Sequence, residues 1–121
     1  MKILVVDDDS LACEMTAAIV ESLGHETLQA ENGVMAMEML DAAPDIAMLI
    51  CDMNMPMISG IELFRELKNQ GITLPFILLT GDKPDGLWAQ EPSLDGCMTK
   101  DFSMEATLPD MIDAVMARYS R

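Results

Sequence analysis

Carboxylates, a hydroxyl and an ammonium recur at one kind of place in this chain. Asp7 and Asp8, Asp52, Thr80 and Lys100 each stand just after a short apolar run, namely Ile3 to Val6, Ile46 to Cys51, Phe76 to Leu79 and Cys97 to Thr99. In an open parallel sheet the carboxyl ends of the strands share one edge, where ligand crevices form. Three carboxylates gathered there repel one another until a cation neutralises them, and hard oxygen ligands without sulfur or imidazole select Mg²⁺. A lone ammonium and a hydroxyl beside them complete a cradle of phosphate size.

Such an edge needs strands alternating with helices, and the rest of the sequence supplies them. Ile3 to Val6 reads as a strand, and Leu11, Met15, Ile19 and Leu23 then recur at four-residue spacing up to Gly24, as in a helix. His25 to Ala30 alternates as a second strand, and Val34 to Leu40 is a methionine-rich helix. Ile46 to Cys51 is the third strand, followed by a turn from Asp52 to Gly60 and a helix carrying Ile61, Phe64 and Leu67 on one stripe as far as Gly71. Phe76 to Leu79 and Cys97 to Thr99 are the fourth and fifth strands. Pro84, Gly86, Pro92 and Gly96 crowd the stretch between them, so the fourth helix is expected to be short or irregular. Leu108, Ile112, Val115 and Tyr119 mark the last helix, and Pro109, safe only in a first turn, predicts a start near Thr107. The alternation predicts an α/β fold with a single doubly wound, five-stranded parallel sheet, as one domain over residues 1–121.

Composition narrows the function. Seven Lys and Arg against 21 Asp and Glu leave a net charge of −14, which repels phosphate backbones and anionic lipid heads, so no direct nucleic-acid or membrane binding is expected. Three Phe, one Trp and one Tyr offer no stacking platform for bases. Cys13, Cys51 and Cys97 are odd in number and far apart, which suggests neither a zinc site nor a disulfide framework but buried, reduced thiols in a cytoplasmic protein. No apolar run approaches the length of a membrane span. Most of the 13 methionines read as core filler, with Met53, Met55 and Met57 leaning toward a partner contact.

The ordered motifs resemble the response-regulator receiver domain of bacterial two-component signalling and are chemotaxis-regulator-like. They are Ile3-Leu4-Val5-Val6-Asp7-Asp8, then Asp52-Met53-Asn54-Met55-Pro56 with Ser59-Gly60, then Leu79-Thr80-Gly81, and Lys100 followed after one residue by Phe102. The resemblance covers the whole chain and implies the flavodoxin-like (βα)5 fold. It implies that Asp52 accepts a phosphoryl group from a sensor histidine kinase or a histidine phosphotransfer protein, to switch an output protein or a fused output domain. Mg²⁺ would be held directly by Asp8, largely through water by Asp7, and by Asp52 and the backbone carbonyl of Asn54. Thr80 and Lys100 would bind phosphoryl oxygens, Gly81 would leave the donor's path open, and Asp82 with the Asn54 side chain would tune attack by water. Beyond its own phosphorylation and dephosphorylation no turnover is implied.

Two departures bear on readout. Asp101 stands where the family usually has a proline after its lysine, and a cis bond to a non-proline residue costs about 3–4 kcal/mol, so a trans peptide is expected. Cys97 stands three residues before the lysine, where many members carry a Tyr or Phe whose ring moves with phosphorylation. These departures support an alternative, a pseudo-receiver that binds a protein constitutively. A phosphatase of the haloacid-dehalogenase type needs a second acid two residues after its nucleophile, and Asn54 cannot supply it.

Overall fold

The structure is a computed structural model that describes residues 1–81, 86, 90–91, 93–101 and 103–119. Five strands form one sheet: β1 (Lys2–Val6), β2 (Glu26–Ala30), β3 (Ile46–Asp52), β4 (Phe76–Thr80) and β5 (Gly96–Thr99), in the order β2-β1-β3-β4-β5 with every pairing parallel. The described helices are α1 (Ser10–Ser22), α2 (Gly33–Ala42), α3 (Gly60–Asn69) and, after β5, α4 (Met104–Tyr119).

Alternation along each strand divides the core into two layers, because successive side chains of a strand point to opposite faces. Leu4, Val6, Leu49, Cys51, Phe76 and Leu78 pack on one face with Ala36 and Leu40 of α2 and Ile61, Phe64 and Leu67 of α3. Ile3, Met48, Ile50, Ile77 and Leu79 pack on the other with Val20 of α1 and Leu108, Ile112 and Val115 of α4. Phe64 and Phe76 meet edge to face at 5.2 Å. Cys13, Cys51 and Cys97 are buried, and none of them is in a disulfide. Among the described residues no helix is long and apolar enough to cross a membrane.

The four-residue series does mark a helix, α1, but the face that it buries is Cys13, Thr16, Ala17 and Val20, while Leu11 and Met15 are 65% and 62% exposed. Cys13 and Ala17 pack directly on Val5 of β1, and small side chains let the helix lie close to the strand, a seat the larger Leu and Met could not take. The last helix begins at Met104, not near Thr107, and Pro109 lies inside it. Starting earlier adds Met104 to the buried stripe of Leu108, Ile112 and Val115, which outweighs one backbone hydrogen bond of about 1 kcal/mol lost at the proline. The expected irregular fourth helix, with Pro84 and Pro92, lies largely outside the described residues; Gly86 and Gln90 there are helical.

Candidate functional site

The carboxyl ends of β1, β3, β4 and β5 deliver the five residues as the strand pattern requires. Val6 and Cys51 are register partners, so Asp7 and Asp52 follow side by side, and Thr80 and Thr99 are paired, so Lys100 leaves β5 beside Thr80. Backbone bonds fix these exits: Asp7 N–H donates to Ala30 O at 3.0 Å, Met53 N–H to Leu79 O at 2.8 Å, and Lys100 N–H to Thr80 O at 2.6 Å. Asp9 caps α1, its side chain accepting from Leu11 and Ala12 N–H.

Asp7 and Asp52 are 3% and 6% exposed, whereas Asp8 is exposed. Carboxylate oxygens of Asp7, Asp8 and Asp52 lie within 4.8 Å of one another. The Lys100 ammonium bridges two of them, 2.6 Å from Asp7 Oδ2 and 3.3 Å from Asp52 Oδ1. Three carboxylates against one ammonium leave two negative charges at a half-open edge, and the donors are all hard oxygens. That set fits a divalent cation such as Mg²⁺.

Burial, the neighbouring Asp7 charge and, more weakly, that of Asp8 push the Asp52 carboxyl above its ordinary value against the opposing pull of Lys100. Burial works against the charge on Lys100, but the hydrogen bonds and charges of Asp7 and Asp52 outweigh it and hold the ammonium above the usual lysine value. A carboxylate raised in the folded state is a cost present above its folded pKa and relieved as pH falls through it. Asp52→Asn is therefore expected to raise the metal-free melting temperature at pH 7, and the gain should shrink as pH falls into the ordinary carboxylate range. Paired thermal melts from pH 7 down into that range check it.

Thr80 is buried at the end of β4. Asn54 is exposed in the loop after β3, and a Cβ on Gly81 would meet nothing within 4 Å. Asp82 and Phe102 lie outside the described residues. The Lys100-Asp101 peptide is trans, as expected. Met57 is 69% exposed, whereas Met53 and Met55 are only partly exposed and pack against the core below, so of the three only Met57 is free for a partner. At Gly60 a Cβ would stand 2.7 Å from Asp52 O, which makes that glycine part of the site's support. The turn signal Ser59-Gly60 pointed to this position without showing what the close approach was for. Ser59 and Glu62 form a capping box that pins the far end of the loop.

The sequence pattern of the response regulator receiver domain matches residues 3–113. The chain is 34% identical to chemotaxis protein CheY1 of Helicobacter pylori strain J99 over 96% of this chain and 97% of that protein. It is 40% identical to the phosphate regulon transcriptional regulatory protein PhoB of Pseudomonas aeruginosa, over 84% of this chain but only 45% of that longer protein. Among solved structures it resembles the response regulator TrrA of Thermotoga maritima in complex with Mg²⁺ and BeF, with TM-score 0.79 and 26% identity over 93% of this chain and 97% of that one. A receiver domain protein from Clostridium thermocellum matches with TM-score 0.80 and 26% identity, over 98% and 96% of the two chains. Strand order, edge chemistry and these likenesses agree: the chain belongs to the response regulator receiver domain family and is CheY-like.

Proposed function

We propose that this receiver domain takes a phosphoryl group onto Asp52 from the phosphohistidine of a sensor histidine kinase or histidine phosphotransfer protein, and thereby switches an output protein. The observation that carries this reading is the cluster of Asp7, Asp8 and Asp52 bridged by Lys100 at the edge of the sheet. An Asp52 oxygen attacks phosphorus, the P–N bond to the donor imidazole breaks, and the imidazole leaves with its electron pair. Asp8, Asp52 and the Asn54 carbonyl would hold Mg²⁺ directly and Asp7 largely through water, and the ion would offset charge on the transferring group. Lys100, already at 3.3 Å from Asp52 Oδ1, pairs with one phosphoryl oxygen, and the Thr80 hydroxyl donates to another. Gly81 leaves the donor's path open, and Asp82 with the Asn54 side chain sets how soon water removes the group.

The donor is a protein with an apolar contact face. Beside Lys100 a groove of about 550 Å³ runs between α1 and α4, lined by Ala12, Met15, Ile19 and Met104. Leu11 and Met15 stand exposed on α1, which leads away from the aspartates. The charge of −14 favours basic partners and argues against nucleic acid as a direct ligand.

Thermal melts test the metal and phosphoryl sites together. Ten times the dissociation constant of Mg²⁺ should stabilise the protein by about 1.4 kcal/mol, with a further rise when beryllofluoride is added. Asp8→Ala should lose the Mg²⁺ shift. Wild-type melts indifferent to both additions would favour the constitutive binding module.

A further inference from the structure

The loop between β3 and α3 carries Asn54 to the edge of the site, in a backbone conformation that its own residues do not favour. Met57 has φ of 70°, the only positive value at a non-glycine residue among those described. Ile58 N–H donates to Pro56 O at 2.9 Å, an i to i+2 bond about Met57 that makes the rarer, strained form of the γ-turn. The Met57 side chain is 69% exposed and contributes no packing that would hold this turn.

The next residue does. Ile58 packs against the layer that contains Leu63 and Phe64. At Gly33, the first residue of α2, a Cβ would fall 2.4 Å from Ile58 Cδ1 and 2.5 Å from Ile58 Cγ1, closer than real Cβ atoms approach other heavy atoms. Ile58 thus occupies the room that any side chain at position 33 would need. The start of α2 is itself anchored to the reacting edge: Ala30 O accepts from Asp7 N–H at 3.0 Å, and the Asn32 side chain caps the helix by accepting from Met35 N–H at 2.8 Å.

We propose that Gly33 and Ile58 are a positioning pair, in which Ile58 seated on Gly33 holds the loop 53–59 against α2 and so sets where Asn54 stands relative to Asp7 and Asp52. This inference rests on the phospho-acceptor reading, in which the Asn54 carbonyl is a metal ligand. Neither residue touches the reacting groups. Their effect is on the geometry of a ligand, where supporting contacts commonly change metal affinity about 10–100-fold.

The test is a double-mutant cycle read by calorimetric titration with Mg²⁺, at a temperature where circular dichroism shows every variant folded. Gly33→Ala and Ile58→Ala should each weaken Mg²⁺ binding about tenfold. The double variant should recover to within about twofold of wild type, because the new methyl at 33 enters the space that Ile58 vacates. A pair with a structural role only would move melting temperatures and leave Mg²⁺ affinity alone, so unchanged affinity in the single variants overturns the proposal, as does an additive double variant. Should Gly33→Ala fail to fold, Ile58→Ala alone decides, with unchanged affinity counting against the pair. A wild-type chain that binds no Mg²⁺ overturns the phospho-acceptor reading and the pair's role with it; one that binds Mg²⁺ while the variants match it overturns the pair alone.

Discussion

Gly60→Ala should lower the melting temperature of the metal-free protein by about 10 °C, roughly 3 kcal/mol, the upper end of what overpacking costs. The added Cβ would meet Leu78 Cδ1 at 2.4 Å, Asp52 O at 2.7 Å and Met53 Cα at 3.1 Å. Leu78 can turn aside, at a cost to the packing under α3. The Asp52 carbonyl cannot yield without moving the end of β3, and Gly60 N–H also donates to Met53 O at 2.9 Å, so the clash and the bond pull on the same two residues. Phosphorylation should fall with stability, because the strained atoms belong to the acceptor itself. Thermal melts and acetyl phosphate labelling of the folded variant check both parts; a shift under about 2 °C would show that the helix start relaxes freely.

Lys100→Ala should slow phosphorylation from acetyl phosphate by about 100-fold or more, the usual cost of losing one donor aimed at developing charge. It should also destabilise the metal-free protein by about 1–2 kcal/mol, since Asp7 and Asp52 keep their burial and lose their shared cation. A quarter of the Lys100 side chain is exposed, so solvent screening holds this below the loss for a fully buried pair. The lysine is raised in the folded state, so its contribution is fully present below the ordinary lysine pKa of about 10.4 and fades as pH rises past the folded value. The deficit of the variant should therefore be steady from about pH 6 to 9 and close only in strong alkali. Mg²⁺ should stabilise the variant more than the wild type, because the ion replaces the missing positive charge. Melts with and without Mg²⁺ at several pH values measure the stability effects, and labelling time courses measure the rate.

The strands and the five edge residues were legible because both arise from local patterns. A short apolar run is a strand whichever layer covers it, and a polar residue at its end falls on the common edge once the strands are parallel. Helix faces were less legible. On α1 the large residues Leu11 and Met15 form the more conspicuous stripe, yet the closely packed seat on Val5 accepts only Cys13 and Ala17, a choice made by the distance between helix and strand. Pro109 misled for a related reason: a local rule against proline inside a helix yields when one more turn buries Met104. Long-range contacts were not legible at all. Nothing near Gly33 in the sequence announces Ile58, and nothing near Asp95 announces that its carboxylate accepts from Phe76 N–H and Tyr119 OH while Arg118 donates to its carbonyl. That arrangement ties the end of α4 to the far edge of the sheet from the reacting site, and burial with the Asp95 hydrogen bond pushes the Tyr119 hydroxyl up to about 12.

If Asp52 is phosphorylated as proposed, the departures at Cys97 and Asp101 bear on how that state would reach a partner. Cys97 is buried in the layer with Leu78 and Leu94, so a thiol stands where many relatives place a ring. Thr80 is joined to the other side of the reacting edge by the bond from Lys100 N–H to its carbonyl.

Intact mass spectrometry after incubation with Mg²⁺ and acetyl phosphate decides whether Asp52 is the phosphoryl acceptor. Wild-type protein should gain one phosphate, lose it on standing, and gain none when Mg²⁺ is chelated, while Asp52→Asn stays unlabelled under every condition. A one-phosphate gain that persists in Asp52→Asn, or wild-type protein that takes no phosphate although it binds Mg²⁺, would overturn the assignment of Asp52 as acceptor.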